Sequence, residues 1–187
     1  MIFETVIISS DDKSIPHVTP FGVRYEGKQI IISPFKPSKT LNNIMTTQVA
    51  TMNVTDDVRV FAGALTAKQP WQLEPTDSIK GFRLQDCLMH VELTLSEVRE
   101  DDERTQLVMA QIKKHHHRDF NGFNRAQAAV IEIAVLTSSF HMIPREKIQS
   151  ELKYLQIAID KTAGEKELEA WSWLTEKINY YYENKAV

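Results

Sequence analysis

The sequence predicts an α+β protein, with an antiparallel β-barrel over the first two thirds and a helical extension over the last third. Three observations carry this. Up to about Lys114 the chain is a series of short β-branched or alternating segments punctuated by polar, Gly and Pro turns. That part shows no βαβ alternation and one helix signal, so its short connections favour a closed antiparallel sheet. After Phe123 the apolar residues recur at helical spacing instead. The expected division is a barrel over 1–121 and a helical region over 122–187, with an αα-hairpin packed on the barrel.

Phe3 to Ser9 is β-branched and reads as the first strand, followed by the polar turn Ser10–Ser14. Ile15 to Tyr25 is extended. Pro16 and Pro20 lack the N–H a central strand needs, so this strand is not expected to be laddered on both sides. Glu26-Gly27-Lys28 suits a hairpin into the apolar run Gln29 to Ser33. Pro34-Phe35-Lys36-Pro37 stops that strand, and Ser38 caps a short helix from Lys39 to about Thr47, with Leu41 and Ile44 inward. Strands are expected at Val49–Val54 and Val58–Leu65, a loop excursion at Gln69–Gly81, and strands again at Leu88–Val98 and Thr105–Lys113. The acidic turn Asp101-Asp102-Glu103 joins the last two.

Asn124 caps a helix from Arg125 to about Phe140 that is apolar nearly all round, so a central buried helix is expected. Pro144 starts a second helix with the stripe Ile148, Leu152, Leu155, Ile159. Gly164 separates it from a third carrying Leu168, Trp171, Leu174, Ile178 and Tyr181.

Composition narrows the function classes. The 187 residues are 42% apolar and 25% charged, with 22 basic against 25 acidic side chains and a net charge of −3. No net basic field exists to hold nucleic acid or an anionic membrane, so neither partner is expected. The single cysteine, Cys87, cannot form an intrachain disulfide, and its best reading is a buried structural thiol. With Glu4 early and no basic leader, a cytoplasmic protein is the expectation.

Four constellations could carry chemistry. In Ser33–Ile44 a strand feeds a helix N-terminus bearing Lys36, Lys39, Ser38 and Thr40. Unpaired N–H groups, the helix dipole and two lysines make a phosphate site, although the same residues also suit a plain N-cap. Thr19-Pro20-Phe21-Gly22-Val23 is a Pro-interrupted strand whose Gly22 leaves room for a flat ligand or a neighbouring backbone, or marks a bulged edge. Asn53 and Thr55 share one strand face, where they can meet a ligand's heteroatoms or solvent. The run His115-His116-His117 cannot converge three imidazoles on one ion from a strand or a helix. It would need recruits such as His17, His90 or His141, and no ligand motif of known spacing is present, so no metal site is assigned. Glu132 is read as the wet edge of its helix. Dinucleotide fingerprints, phosphate loops, Cys-x-x-Cys pairs and nucleophile elbows are absent from the sequence, and no catalytic residue is assigned.

The order of Thr19–Tyr25, Ser33–Asn43 and Asn53–Phe61, with Gly122–Glu132 and Asp160–Gly164, resembles the flavin-binding split-barrel superfamily of flavin reductases and pyridoxamine-phosphate-oxidase-like proteins. More closely it resembles the DUF447 family. The resemblance implies a Greek-key split barrel and an FMN-binding homodimer with flavin near the subunit interface. It implies that Lys36, Ser38, Lys39 and Thr40 grip the FMN phosphate, and that Thr19, Pro20, Phe21, Gly22, Ser33, Pro34 and Phe35 line the ring and ribityl chain. Asn43, Asn53, Thr55 and Asp56 would add polar contacts, and His116–Arg125 would reach the partner's flavin. Lysine in the phosphate loop supplies charge without arginine's bidentate fork. The function implied is flavin-dependent oxidoreductase or flavin reductase chemistry on an unidentified small molecule. A non-catalytic flavin carrier or sensor and a flavin-free adaptor barrel are the alternatives.

Overall fold

A computed structural model of the chain describes residues 1–69, 71–100, 104–139 and 142–184. The expected acidic turn at 101–103, the end of the first C-terminal helix at Phe140, and His141 lie outside these residues. The chain separates into two units, Met1–Thr55 with Trp71–Phe120, and Asp56–Pro70 with Asn121–Val187.

The first unit is a closed six-stranded antiparallel barrel. Its strands are β1 (Phe3–Ser10), β2 (Pro16–Glu26), β3 (Gln29–Ile32), β4 (Val49–Val54), β7 (Met89–Arg99) and β8 (Gln106–His116), in the spatial order β1-β2-β3-β8-β7-β4. Side chains alternate across each strand. Ile7, Val23, Ile30, Ile32, Ala50, Met52, Val91, Leu93, Leu107 and Met109 therefore fill one interior. Each large side chain buried there contributes about 1.5–3 kcal/mol. Gly27, with φ of +61°, makes the tight β2–β3 turn that a side chain would strain.

Helix α1 (Lys39–Thr47) forms as the sequence predicts. Ser38 Oγ accepts the Leu41 N–H at 3.3 Å, and the apolar side of the helix inserts Ile44, fully buried, into the barrel core. The excursion after residue 70 is not all loop. Strands β5 (Leu73–Pro75) and β6 (Phe82–Leu84) pair as a hairpin.

This hairpin is strapped to the barrel wall by side chains that point away from the core. Asn53, fully buried, donates to Thr51 Oγ1 at 3.0 Å and to the Val6 carbonyl at 3.3 Å, and accepts the Leu84 N–H at 2.9 Å. Thr51 donates to the Phe82 carbonyl at 2.7 Å. Cys87 is buried and donates its thiol to the Leu84 carbonyl at 3.3 Å, and burial pushes its pKa up to about 11. It is the inert thiol the sequence suggests.

The second unit is helical: α2 (Arg59–Thr66), α3 (Arg125–Ser138), α4 (Arg145–Thr162) and α5 (Glu165–Asn184). The segment expected as a strand at Val58–Leu65 is α2. A short run that is apolar apart from Arg59 has too little polar contrast to separate strand from helix by its period, and Val60, Phe61 and Ala62 are all buried. Asp57 anchors its start, accepting the Arg59 backbone N–H and the Arg59 Nε and Nη2 groups, with Lys166 Nζ at 3.0 Å.

Helix α3 is one-sided, contrary to expectation. Ala129, Val130, Ile133 and Ala134 are buried while Val135 is 51% exposed, and Glu132 does sit on the wet side. Asn124 caps α3 by accepting from Ala126 and Gln127. Helices α4 and α5 form the expected αα-hairpin around Ala163-Gly164, with Ile148, Ile159, Trp171, Leu174 and Ile178 buried. Leu168, expected in the stripe, is 52% exposed.

Two outcomes follow. Asn53→Ala removes three hydrogen bonds at a site water cannot reach, so urea denaturation should show a loss of about 2–3 kcal/mol. A loss within experimental error would mean the strap carries nothing.

The Asp57 carboxyl sits below its ordinary pKa, because hydrogen bonds and charge from Arg59 and Lys166 outweigh the opposing effect of burial. Its stabilisation is therefore present above the unfolded carboxylate pKa of about 4 and fades as pH falls through the lower folded value. Asp57→Asn should cost about 2 kcal/mol at pH 7, with the gap to the parent closing in strong acid. A gap unchanged by acid would contradict the assignment.

Candidate functional site

Strand β2 pairs with β1 over its first eight residues, from Pro16 opposite Ser10 to Val23 opposite Phe3. It pairs with β3 only at Arg24, Tyr25 and Glu26. Continuing that second register would set Gly22 against Ser33, Phe21 against Pro34, Thr19 against Lys36 and His17 against Ser38. No such pairs form; β2 and the 33–38 segment part instead. The barrel is thus split along one seam, whose lips are Pro16–Gly22 and Ser33–Ser38.

The two prolines suit this edge, because a proline has no N–H to offer a second neighbour. Both are half-buried residues on the open side of β2. Eleven of the residues expected from the sequence fall on these lips or at their far end: Thr19, Pro20, Phe21, Gly22, Ser33, Pro34, Phe35, Lys36, Ser38, Lys39 and Thr40.

The far end of the seam is the N-terminus of α1. The N–H groups of Lys39 and Thr40 begin the first turn, where an α-helix leaves its donors unpaired. Lys39 is exposed and Thr40 is buried. Across the seam His17 Nε2 meets Thr19 Oγ1 at 2.7 Å. Burial, and then the charge of Lys39, hold the His17 pKa below its usual value, so the imidazole is neutral at pH 7. The helix start thus faces a hydroxyl and a neutral ring with no carboxylate of either lip paired to it. The unpaired N–H groups, the helix dipole and Lys39 make this helix start suited to an oxyanion. His17 joins these residues because it lies two residues from Thr19, on the same strand face.

Other expected residues have different work. Lys36 forms an ion pair with Glu100 at 2.9 Å, on the surface. Asn43 is buried and donates to Ser9 Oγ at 3.1 Å, fixing α1 to β1. Asn53 is spent on the hairpin strap and does not reach the seam. Thr55 and Asp56 are half-buried beyond the end of β4. Phe35 is 58% exposed, with the Arg104 guanidinium 3.6 Å over its ring. A Cβ on Gly22 would lie 2.7 Å from Ile2 Cγ2, so the glycine serves the close approach of Ile2, and the room expected beside it is filled by the chain's own N-terminus.

No helix among the described residues is long and apolar enough to cross a membrane. The family described as "Protein of unknown function (DUF447) N-terminal domain" matches residues 3–118, and its C-terminal counterpart matches residues 124–176. No curated protein matches the sequence.

Among solved structures, an FMN-bound DUF447 protein from Methanosarcina mazei is similar at a TM-score of 0.82 and 20% identity, over 94% of each chain. A Shewanella frigidimarina protein described as having a split barrel domain is similar at a TM-score of 0.54 and 15% identity, over 63% of this chain and 67% of that one. The flavoredoxin of Desulfovibrio vulgaris gives 0.53 and 15%, over 61% and 69%. At such identities the likeness is one of fold. The family matches span both the barrel and the helices: this chain belongs to the DUF447 family, and its fold is the split barrel it shares with these structures.

Proposed function

We propose that the protein is an FMN-binding flavoprotein, with the cofactor lying along the seam between β2 and the 33–38 segment and its phosphate at the N-terminus of α1. The observation that carries this reading is that the first-turn N–H groups and Lys39 stand at the end of a seam along which β2 and the 33–38 segment form no ladder pairs. Such a seam matches FMN, which has a dianionic group at one end and a planar ring with hydrogen-bonding edges at the other. The FMN bound to the Methanosarcina mazei relative supports it.

When bound, the flavin would supply hydride and electron transfer. The chain's residues would do the rest. Lys39 and the α1 N–H groups would neutralise and orient the phosphate. Thr19 and the backbone of Pro20, Phe21 and Ser33 to Phe35 would fix the ribityl chain and ring edge. Neutral His17 with Thr19 would hold a hydrogen-bonding pair at the phosphate end without adding charge. The lips hold no pair of carboxylates for general acid–base chemistry, and flavin redox reactions need none. The reaction class proposed is therefore oxidoreductase on a small molecule. We also propose a homodimer, for which the exposed Phe35 and Ile112 of the barrel unit offer apolar contact surface, and a cytoplasmic setting.

Lys39→Ala should weaken FMN about tenfold, the loss expected for one charge-assisted hydrogen bond, and leave riboflavin unchanged, since riboflavin has no phosphate. Lys39 is exposed, so folding should be unaffected. Fluorescence titration of the two flavins reads both numbers. Equal losses, or no binding of FMN by the parent protein, would contradict the reading. If reduced, bound flavin is reoxidised no faster by any added acceptor than by dioxygen, the protein is a carrier and not an oxidoreductase.

A further inference from the structure

On the outer wall of the barrel, away from the seam, a second cluster is held in place. Val91 and Leu93 of β7 face the core, so His90 and Glu92 face the other way, and they are nevertheless buried, Glu92 completely. What covers Glu92 is the loop between β5 and β6. Glu92 Oε2 accepts the N–H groups of Ser78 at 2.8 Å and Ile79 at 2.9 Å, while Oε1 receives only the Asp77 N–H at 3.3 Å.

Oε1 instead faces two imidazoles. It lies 3.8 Å from His90 Nε2 and 3.5 Å from His115 Nε2. His115 is the residue opposite His90 on β8. Both Nε2 atoms are buried without a hydrogen-bond partner. Burying an unsatisfied polar atom costs about 1–3 kcal/mol, so two such atoms beside one carboxylate oxygen ask for a common partner.

We propose that His90, Glu92 and His115 bind a divalent transition ion of the zinc type, with Asp77 as fourth ligand, as a clasp fastening the β5–β6 loop to the barrel. The ligand atoms of His90, Glu92 and His115 lie within 4.8 Å of one another. A tetrahedral ion with bonds of about 2.0–2.2 Å needs ligand atoms about 3.4 Å apart, which the carboxylate–imidazole distances nearly meet. Asp77 Oδ2 is 3.7 Å from His115 Nε2. Two carboxylates would balance a divalent charge.

Of the nearby cations, Arg83 is paired with Glu74, and Lys113, 3.5 Å from Asp77 Oδ2, is an exposed side chain that can turn to solvent when Asp77 ligates. His90 Nδ1 meets His117 Nε2 at 2.8 Å, the outer hydrogen bond that fixes a ligand ring. The His90 and His115 rings are parallel within 2° at 4.8 Å. Ligation therefore turns one ring about its Cβ–Cγ bond, and His115, with a side chain 22% exposed, has the space. Two imidazoles with carboxylate oxygens suit zinc better than magnesium or calcium, which prefer all-oxygen shells.

The test uses the full chain after EDTA treatment, titrated with Zn²⁺ by calorimetry and with Co²⁺ by visible difference spectra. The expected result is one ion per chain, tetrahedral cobalt bands, and a Zn²⁺-dependent rise in melting temperature. His115→Ala should weaken binding more than about 100-fold, and His117→Ala, which removes the outer hydrogen bond, by about 10–100-fold. His116→Ala, exposed on the adjacent position, should change little. Should His115→Ala fail to fold, His115→Gln keeps the size of the side chain and must show the same loss. The proposal is overturned if the parent protein shows no saturable Zn²⁺ binding, if either His115 variant binds as the parent does, or if His116→Ala loses as much as His115→Ala. Flavin titration of the same samples stays independent of each outcome.

Discussion

The parting of β2 from the 33–38 segment is the constraint on which the site depends. Strand β2 stays on β1 over eight pairs and on β3 for only three. A barrel normally uses every backbone N–H and C=O in its ladder, and each buried group left unpaired costs about 1–3 kcal/mol. This chain can leave a seam open because the lips are half-exposed and because prolines stand where donors would be wasted. The seam ends where Ser38 turns the chain into α1, so the one element inserted between β3 and β4 delivers its positive end to the cleft. Ile44 on the same helix anchors in the barrel interior, which makes the position of the helix start a consequence of core packing and not of loop geometry.

The opposite wall solves a different problem. The chain between α2 and β7 must return across the outer face of β4, β1 and β7, and it does so on polar anchors. Asn53 and Thr51 hold β6, and Glu92 gathers three successive N–H groups of the 76–81 loop. Polar side chains at these outward positions keep the hairpin in one register, where an apolar wall would let it slide. Their burial is the result of the hairpin's presence, which is why Asn53 and Glu92, polar residues on alternating strands, carry no exposed surface.

Most of the architecture was legible in the sequence because its elements are punctuated. Ser38 and Asn124 cap their helices, Gly27 turns its hairpin, and Ala163-Gly164 separates α4 from α5 as expected. Errors arose where local pattern is ambiguous. The run at Val58–Leu65 is apolar apart from Arg59 and too short for its period to show, and the start of its helix is held by Asp57, whose partner Lys166 lies more than a hundred residues away.

Of the candidate site, the two lips were legible because Pro, Gly and a helix cap all mark departures from regular pairing. Asn53, expected at the ligand, instead holds the β5–β6 hairpin. A polar residue on an alternating strand signals a face that is not core, but not whether water, a ligand or a hairpin lies over it. The histidine run showed the converse. His115 and His117 share a face as strand periodicity requires, but Glu92 and His90 come to them only through the β7–β8 register, which spacing along the chain does not encode.

The central claim is that the seam and the start of α1 form the flavin site. Hydrogen exchange with and without FMN tests it most directly. The account predicts slowed exchange at the amides of 17–23 and 33–41, strongest at Lys39 and Thr40, with the 76–81 loop unchanged. Protection confined to other segments, or FMN binding that leaves these amides as they were, would contradict it.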